Sequence, residues 1–364
     1  MAENKIAYLP QGESDYRDGL PTYKDYMFMA SKIKMRAQSI LTFERLEQML
    51  MSGSADNAIR LLAEAGWPNL QDMSTGEIDT VLNERRRALF REFFFIVPED
   101  AVLDVFRMKY DYHNAKSIVK GKAAGSNADA LFSDAGRIPA QKLKEAYEDN
   151  DYRFVPPALG KAMREAGAVL ARTRNPQLAD ILLDKAYFAE MKELAETVEP
   201  NTEIPSPLLD PEALDPFMLR YRALLADAAN LRTCVRCVRM GKDAEFLRTA
   251  LIPDGSVSAD CLAQSAFSAE GLTPLFTATP LSAAAALGMT AMKGGTMTRF
   301  EKELDDGILR YLANLRLMYF GPELLVWYLS VEETNIVDVR MILTGLKAGI
   351  APERLKERLR ETYV

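Results

Sequence analysis

With 364 residues, 48% of them hydrophobic and 27% charged, the chain is long enough for two or three domains and apolar enough to build real cores. A formal net charge of −7 argues against a general binder of nucleic acid or of anionic membrane. One histidine (His113) and three cysteines exclude a histidine-rich metal site and a disulfide framework.

The opening stretch, MAENKIAYLPQGESDYRDG, has no apolar signal-peptide core, and no segment reaches the run of about 18 apolar residues that a bilayer span needs. The expected compartment is therefore the cytoplasm. Periodicity and good helix formers predict a helix over Tyr26 to Met51. Next comes the densest basic-aromatic cluster, with Arg85, Arg86, Arg87 and Arg91 beside Phe90, Phe93, Phe94 and Phe95. It reads as the solvated face of an amphipathic helix, with an acidic partner surface as the functional alternative. Gly121 to Asn127 is a predicted loop, Ala179 to Glu196 a helix, and Pro200 to Pro216 an extended, proline-rich connection. Cys234 and Cys237 form a CxxC in the middle of a helical run, on its apolar stripe, which suits packing rather than redox chemistry. Leu272 to Thr298 is rich in Ala, Thr and Gly, with a turn at Gly294 to Thr296. Helices are predicted again over Phe300 to Tyr319 and Pro352 to Tyr363. Within the former, Asp305-Asp306 is similar to part of a magnesium-binding DDxxD, but the third carboxylate is missing. No phosphate loop of the GxxxxGK[ST] type occurs. No strand and hairpin pattern competes with the helices, so the fold class is all-α.

Three segments repeat: YDYHNAKSIVKGKAAG, ADAANLRTCVRCVRMGK and VEETNIVDVRMILTGLKAG. Each places an acid three residues before an Asn, as Asp111/Asn114, Asp227/Asn230 and Glu332/Asn335, followed by Gly and then Pro. A second shared element lies upstream of each, marked by Asn83, Asp184 and Asp305. The asparagines are 116 and 105 positions apart, too far for stacked helical repeats of about 34 to 47 residues. Three homologous helical domains are expected instead, with approximate boundaries at 1–145, 146–265 and 266–364. The N-terminal segment SKIKMRAQSILTFERLEQML resembles the end of a repeat, so the N-terminal helix is expected to pack with the third domain.

Each acid falls in an apolar stripe, where a carboxylate is costly unless it is paired or hydrogen-bonded. Either the helix breaks there and the acid caps the next one, or the helix continues and acid and Asn join a buried network. Because the pair occurs once per repeat, it reads as construction rather than as an active site. The first two repeats carry a base two residues after the Asn, Lys116 and Arg232; the third has Val337 there and reaches a base only at Arg340.

DYHNAKSIV, DAANLRTCV and EETNIVDVRMIL, in this order and spacing, resemble the threefold pattern of the C subunit of V-type (A/V-type) ATPases and ATP synthases. Its eukaryotic counterpart is the d subunit of the V-ATPase. YMFMASKIKMRAQSILTFERLEQML is similar to that family's first helix, and IAPERLKERLRETYV to its ending. The resemblance covers about Tyr23 to Val364 and implies a pseudo-threefold, funnel-like body between the central-shaft subunits and the membrane rotor ring. It implies a part in coupling ATP hydrolysis or synthesis to proton or sodium transport, with no catalytic residue, no cofactor and no metal. A helical metal-dependent transferase using Asp305 and Asp306, or an unrelated helical scaffold, is the alternative.

Overall fold

The computed structural model describes residues 23–198 and 216–362; the N-terminal stretch and nearly all of the proline-rich connection lie outside them. Every element among these residues is helical, so the fold is all-α. In chain order the helices are α1 (Tyr23–Ala37), α2 (Phe43–Met51), α3 (Ala55–Glu64), α4 (Thr75–Phe94), α5 (Asp100–Ala124), α6 (Ala140–Glu148), α7 (Pro157–Thr173) and α8 (Pro176–Thr197). There follow α9 (Phe217–Arg239), α10 (Ala244–Ala250), α11 (Ala259–Ser265), α12 (Thr273–Phe276), α13 (Ser282–Met292), α14 (Met297–Leu312), α15 (Pro322–Lys347) and α16 (Pro352–Lys356).

Local chemistry sets many of the ends. Ser74 and Glu77 form a reciprocal capping box at α4, with Glu77 Oε2 accepting the Ser74 N–H at 2.7 Å and Ser74 Oγ accepting the Glu77 N–H at 3.3 Å. Ser54, Asn175 and Asp243 cap α3, α8 and α10, and Pro stands at the start of α7, α8, α15 and α16. The loop expected from Gly121 begins only at Gly125, which closes α5 in the left-handed conformation (φ 62°).

Three predicted helices are shorter than their periodicity suggests. The run over Tyr26 to Met51 is broken at residues 38–42, because the Leu41 backbone is bonded to α15 rather than along the chain, and Thr42 then caps α2. The run over Phe300 to Tyr319 changes at Ala313 into a 3-10 turn, Ala313–Leu317. The last run is helical only over Pro352–Lys356, since the N–H groups of Arg360 and Glu361 donate to Asp338 and Asp306.

The contacts divide the chain into two units, Leu89–Glu199 and Tyr23–Ala88 with Pro200–Val364. In the first, α5 packs against α6, α7 and α8. The second holds two separate cores. One is built from α9 to α14, with Leu231, Val235, Phe276 and Phe300 at its centre. The Ala-rich segment is part of it: Ala284, Ala285 and Ala291 are fully buried, and Gly288 lets α13 approach Val235 and Phe300. The other core joins the two ends of the chain, with Leu41, Leu46, Leu50, Ile59 and Leu82 against Ile336, Val339, Leu343 and Leu359. Residue 145 lies inside α6, and residue 265 ends α11.

Candidate functional site

The asparagine does the same job three times. Asn114 Oδ1 accepts the Ser133 N–H at 2.9 Å, and its Nδ2 donates to the Ser133 carbonyl at 2.7 Å. Asn230 holds Ile252 in the same two-sided way, at 2.7 and 2.9 Å. Asn335 holds Leu41, at 2.8 and 3.2 Å. All three amides are fully buried. A primary amide offers an acceptor and a donor side by side, and so satisfies both backbone groups of one non-helical residue. The partner is 19 and 22 residues downstream in the first two cases and 294 upstream in the third. The chain's N-terminal segment thus stands where each other repeat uses its own following loop.

The helix runs on through the acid in all three repeats, and the acid's partners differ. Asp111 accepts the N–H groups of Arg137 and Ile138 at 2.9 and 3.2 Å and Nε of Arg137 at 2.7 Å. Arg137 reaches on to Glu190 at 2.7 Å, which also accepts the Tyr112 hydroxyl at 2.8 Å. Asp227 accepts both N–H groups of Ser256 and Val257, at 3.2 Å each, and the Ser256 hydroxyl. Glycines precede both loops: a Cβ on Gly136 would strike Asp111, and one on Gly255 would strike Asp227. In the third repeat Glu332 pairs instead with Arg85 of α4 at 3.2 Å. Burial pushes all three carboxyls above their usual range, opposed by Arg137, by the Ser256 and Val257 donors, and by Arg85 respectively. These groups fasten loops and helices together, and their acceptor positions are occupied in doing so.

A second device ties each repeat helix to its marker helix. In the antiparallel pair α5 and α8, Lys116 meets Asp184 and Lys120 meets Asp180. In α9 and α14, Arg232 meets Asp305 and Glu301, and Arg236 meets Glu301. The register therefore equates Lys116/Lys120 with Arg232/Arg236, and Asp180/Asp184 with Glu301/Asp305. The corresponding positions of α15 and α4 are Val337/Met341 and Asp79/Asn83. The missing base at Val337 thus stands where the acid is missing too, at Asn83, and the surviving acid Asp79 takes Arg340 at 2.7 Å.

The model of the ATP synthase (C/AC39) subunit family matches residues 29–358. The chain belongs to that family. It is 22% identical to the C subunit of the V-type sodium ATPase of Enterococcus hirae over 340 residues, 93% of this chain and 99% of that one. It is also 22% identical to the C subunit of the A-type ATP synthase of Methanocaldococcus jannaschii over 357 residues, covering 92% and 86%. With the C subunit of the V-type ATP synthase of Thermus thermophilus it shares 22% over 233 residues, covering 62% and 67%.

In this family member the other conspicuous residues are also taken up internally. Cys234 and Cys237 are free and buried, and burial pushes the Cys234 thiol up to about 12, far from a reactive thiolate. His113 Nε2 contacts the Leu131 carbonyl at 2.9 Å. Asp305 pairs with Arg232 and Arg360, and Asp306 with Lys302 and the Glu361 N–H. Among the described residues no group of three or more His, Cys, Asp or Glu could hold a metal ion. Of the arginine cluster, Arg86 is buried against Glu333 at 2.7 Å, and Arg85 lies 3.7 Å over the Trp67 ring while it pairs with Glu332. Arg87 pairs on the surface with Glu84, and Arg91 is exposed. An outward-facing basic patch is therefore limited to the last two. Sequence reasoning missed Arg137, Glu190 and Asp338. The G-x-[IV] shared by Gly136-Arg137-Ile138 and Gly255-Ser256-Val257 was the available signal for the first.

Proposed function

We propose that this chain is the non-catalytic central-stalk adaptor of a V-type or A-type rotary ATPase, joining the shaft subunits to the membrane rotor ring. On this reading its three repeats form homologous helical domains in a funnel-like, pseudo-threefold body, each domain centred on one acid and Asn pair. It sits at the cytoplasmic face as a peripheral component and passes torque between its partners. ATP hydrolysis or synthesis and ion movement belong to other subunits. Family membership over nearly the whole chain carries the proposal. The relatives are named as C subunits of a sodium ATPase and of ATP synthases.

Two features support it. No described helix is long and apolar enough to cross a membrane. The buried acid and asparagine of each repeat are spent on cross-links within the fold, which suits a part that must transmit force without yielding. Arg87 and Arg91 are carried forward as contacts to an acidic partner surface. The test is to purify the chain, tagged, with its associated subunits. Catalytic, shaft and ring subunits should all be recovered. Complex lacking the chain should hydrolyse ATP without moving ions, and the isolated chain should not hydrolyse ATP. Failure to bind both shaft and ring subunits would sink the reading.

A further inference from the structure

Helix α1 has two apolar faces. Tyr26, Met29, Ala30 and Ile33 are turned into its own unit and are at most 4% exposed, whereas Met27, Phe28 and Met35 are 51%, 64% and 56% exposed. Phe28 and Met35, seven residues and about two turns apart, share one exposed face with Met27 at its edge and the small Ser31 between them. Lys34 Nζ lies 5.0 Å over the Tyr319 ring, which brings the end of the 3-10 turn beside the C-terminal half of α1. Tyr319 is 76% exposed and Leu317 55%. Five of the thirteen large hydrophobic side chains exposed among the described residues therefore fall on these two short segments. Single exposed apolar residues are ordinary, but a cluster marks an interaction surface.

Charge narrows the occupant. After Asp25 in its first turn, α1 carries Lys32, Lys34 and Arg36 and no further acid, and residues 313–319 carry Arg316 and no acid, in a chain whose net charge is −7. Such segregation favours an acidic partner. Methionine side chains adapt to an apolar ridge, and a stripe along one helix is matched by another helix laid against it. A lipid surface fits less well, because a helix lying in a membrane interface buries a broad apolar face, and the broad face of α1 is already inside the protein. We infer that the exposed stripe of α1, with Leu317 and Tyr319, docks a helix of a partner protein that carries an apolar stripe edged by acidic residues. This rests on the proposed function, with the partner another subunit of the rotary complex.

The test places the photocrosslinker p-benzoylphenylalanine at Phe28 and, separately, at Tyr319, in complex purified through the full-length chain. A third chain carries it at exposed Arg172 as the control. Crosslinks from positions 28 and 319 should map to one helical, net-negative segment of another subunit. Charge reversal by Lys34→Glu with Arg316→Glu should lower their yield about fivefold or more. Crosslinks to lipid, to residues 1–22 of the same chain or to a neutral or basic segment overturn the inference, as does a yield no higher than the control. A chain that never enters the complex overturns the proposed function and this inference with it, whereas an intact complex without the crosslink overturns this inference alone.

Discussion

Asn335 holds Leu41 by both backbone groups across 294 residues of sequence. The same Leu41 carbonyl also accepts the Thr362 hydroxyl at 3.3 Å, so segments from near both ends of the chain meet at one buried peptide. Asn335→Leu should leave the Leu41 N–H unsatisfied and destabilise by about 2 to 4 kcal/mol, read as a lowered urea midpoint. Thr362→Val should cost about 1 kcal/mol, because the carbonyl keeps its Asn335 donor. Equal effects from the two variants would contradict the bidentate reading.

Gly136 and Gly255 give space to the buried carboxylates of Asp111 and Asp227. Gly136→Ala and Gly255→Ala should each destabilise by about 2 kcal/mol or more, since an overpacked polar site must shift and lose its donors. Gly76, whose Cβ would meet nothing within 4 Å, is the control, and Gly76→Ala should be neutral or slightly stabilising. Thermal melts of the three variants decide the matter.

The third ion-pair ladder can be rebuilt. In the α15 and α4 register, Val337→Lys with Asn83→Asp restores the pair that Lys116 and Asp184 make in the first repeat. A double-mutant cycle should give a coupling of about 0.2 to 1 kcal/mol, falling with salt, as expected of a solvent-exposed pair. A coupling of zero at low salt would show that the two helices are not in this register.

Asp338 is fully buried, and burial pushes its carboxyl up to about 7 despite Arg360 at 3.1 Å. Because the folded state holds this proton more tightly than the unfolded chain, its contribution to stability is complete below about pH 4 and is lost as the pH rises through about 7. Asp338→Asn should remove that downward trend, making stability rise more steeply, or fall less, between pH 4 and 7. Urea titrations across this range check the sign. An unchanged slope would mean that the Asp338 proton is not linked to folding.

The sequence by itself determined the fold class and the family, and it showed where the repeats lie. Helical periodicity and capping residues are local properties, and an acid three residues before an Asn is a local pattern that survives while its surroundings drift. It could not say what the pairs hold. A side-chain amide recognises a backbone N–H and C=O, which every residue but proline offers, so Ser133, Ile252 and Leu41 carry no mark of being chosen. For the same reason the break at residues 38–42 was invisible: it exists because α15 takes the Leu41 backbone, not because any residue there forbids a helix. Arg85 and Arg86 show the other limit. Their charge was legible, but only the packing of α4 against α15 turned both inward to Glu332 and Glu333, where an unpaired carboxylate would be far costlier than on the surface.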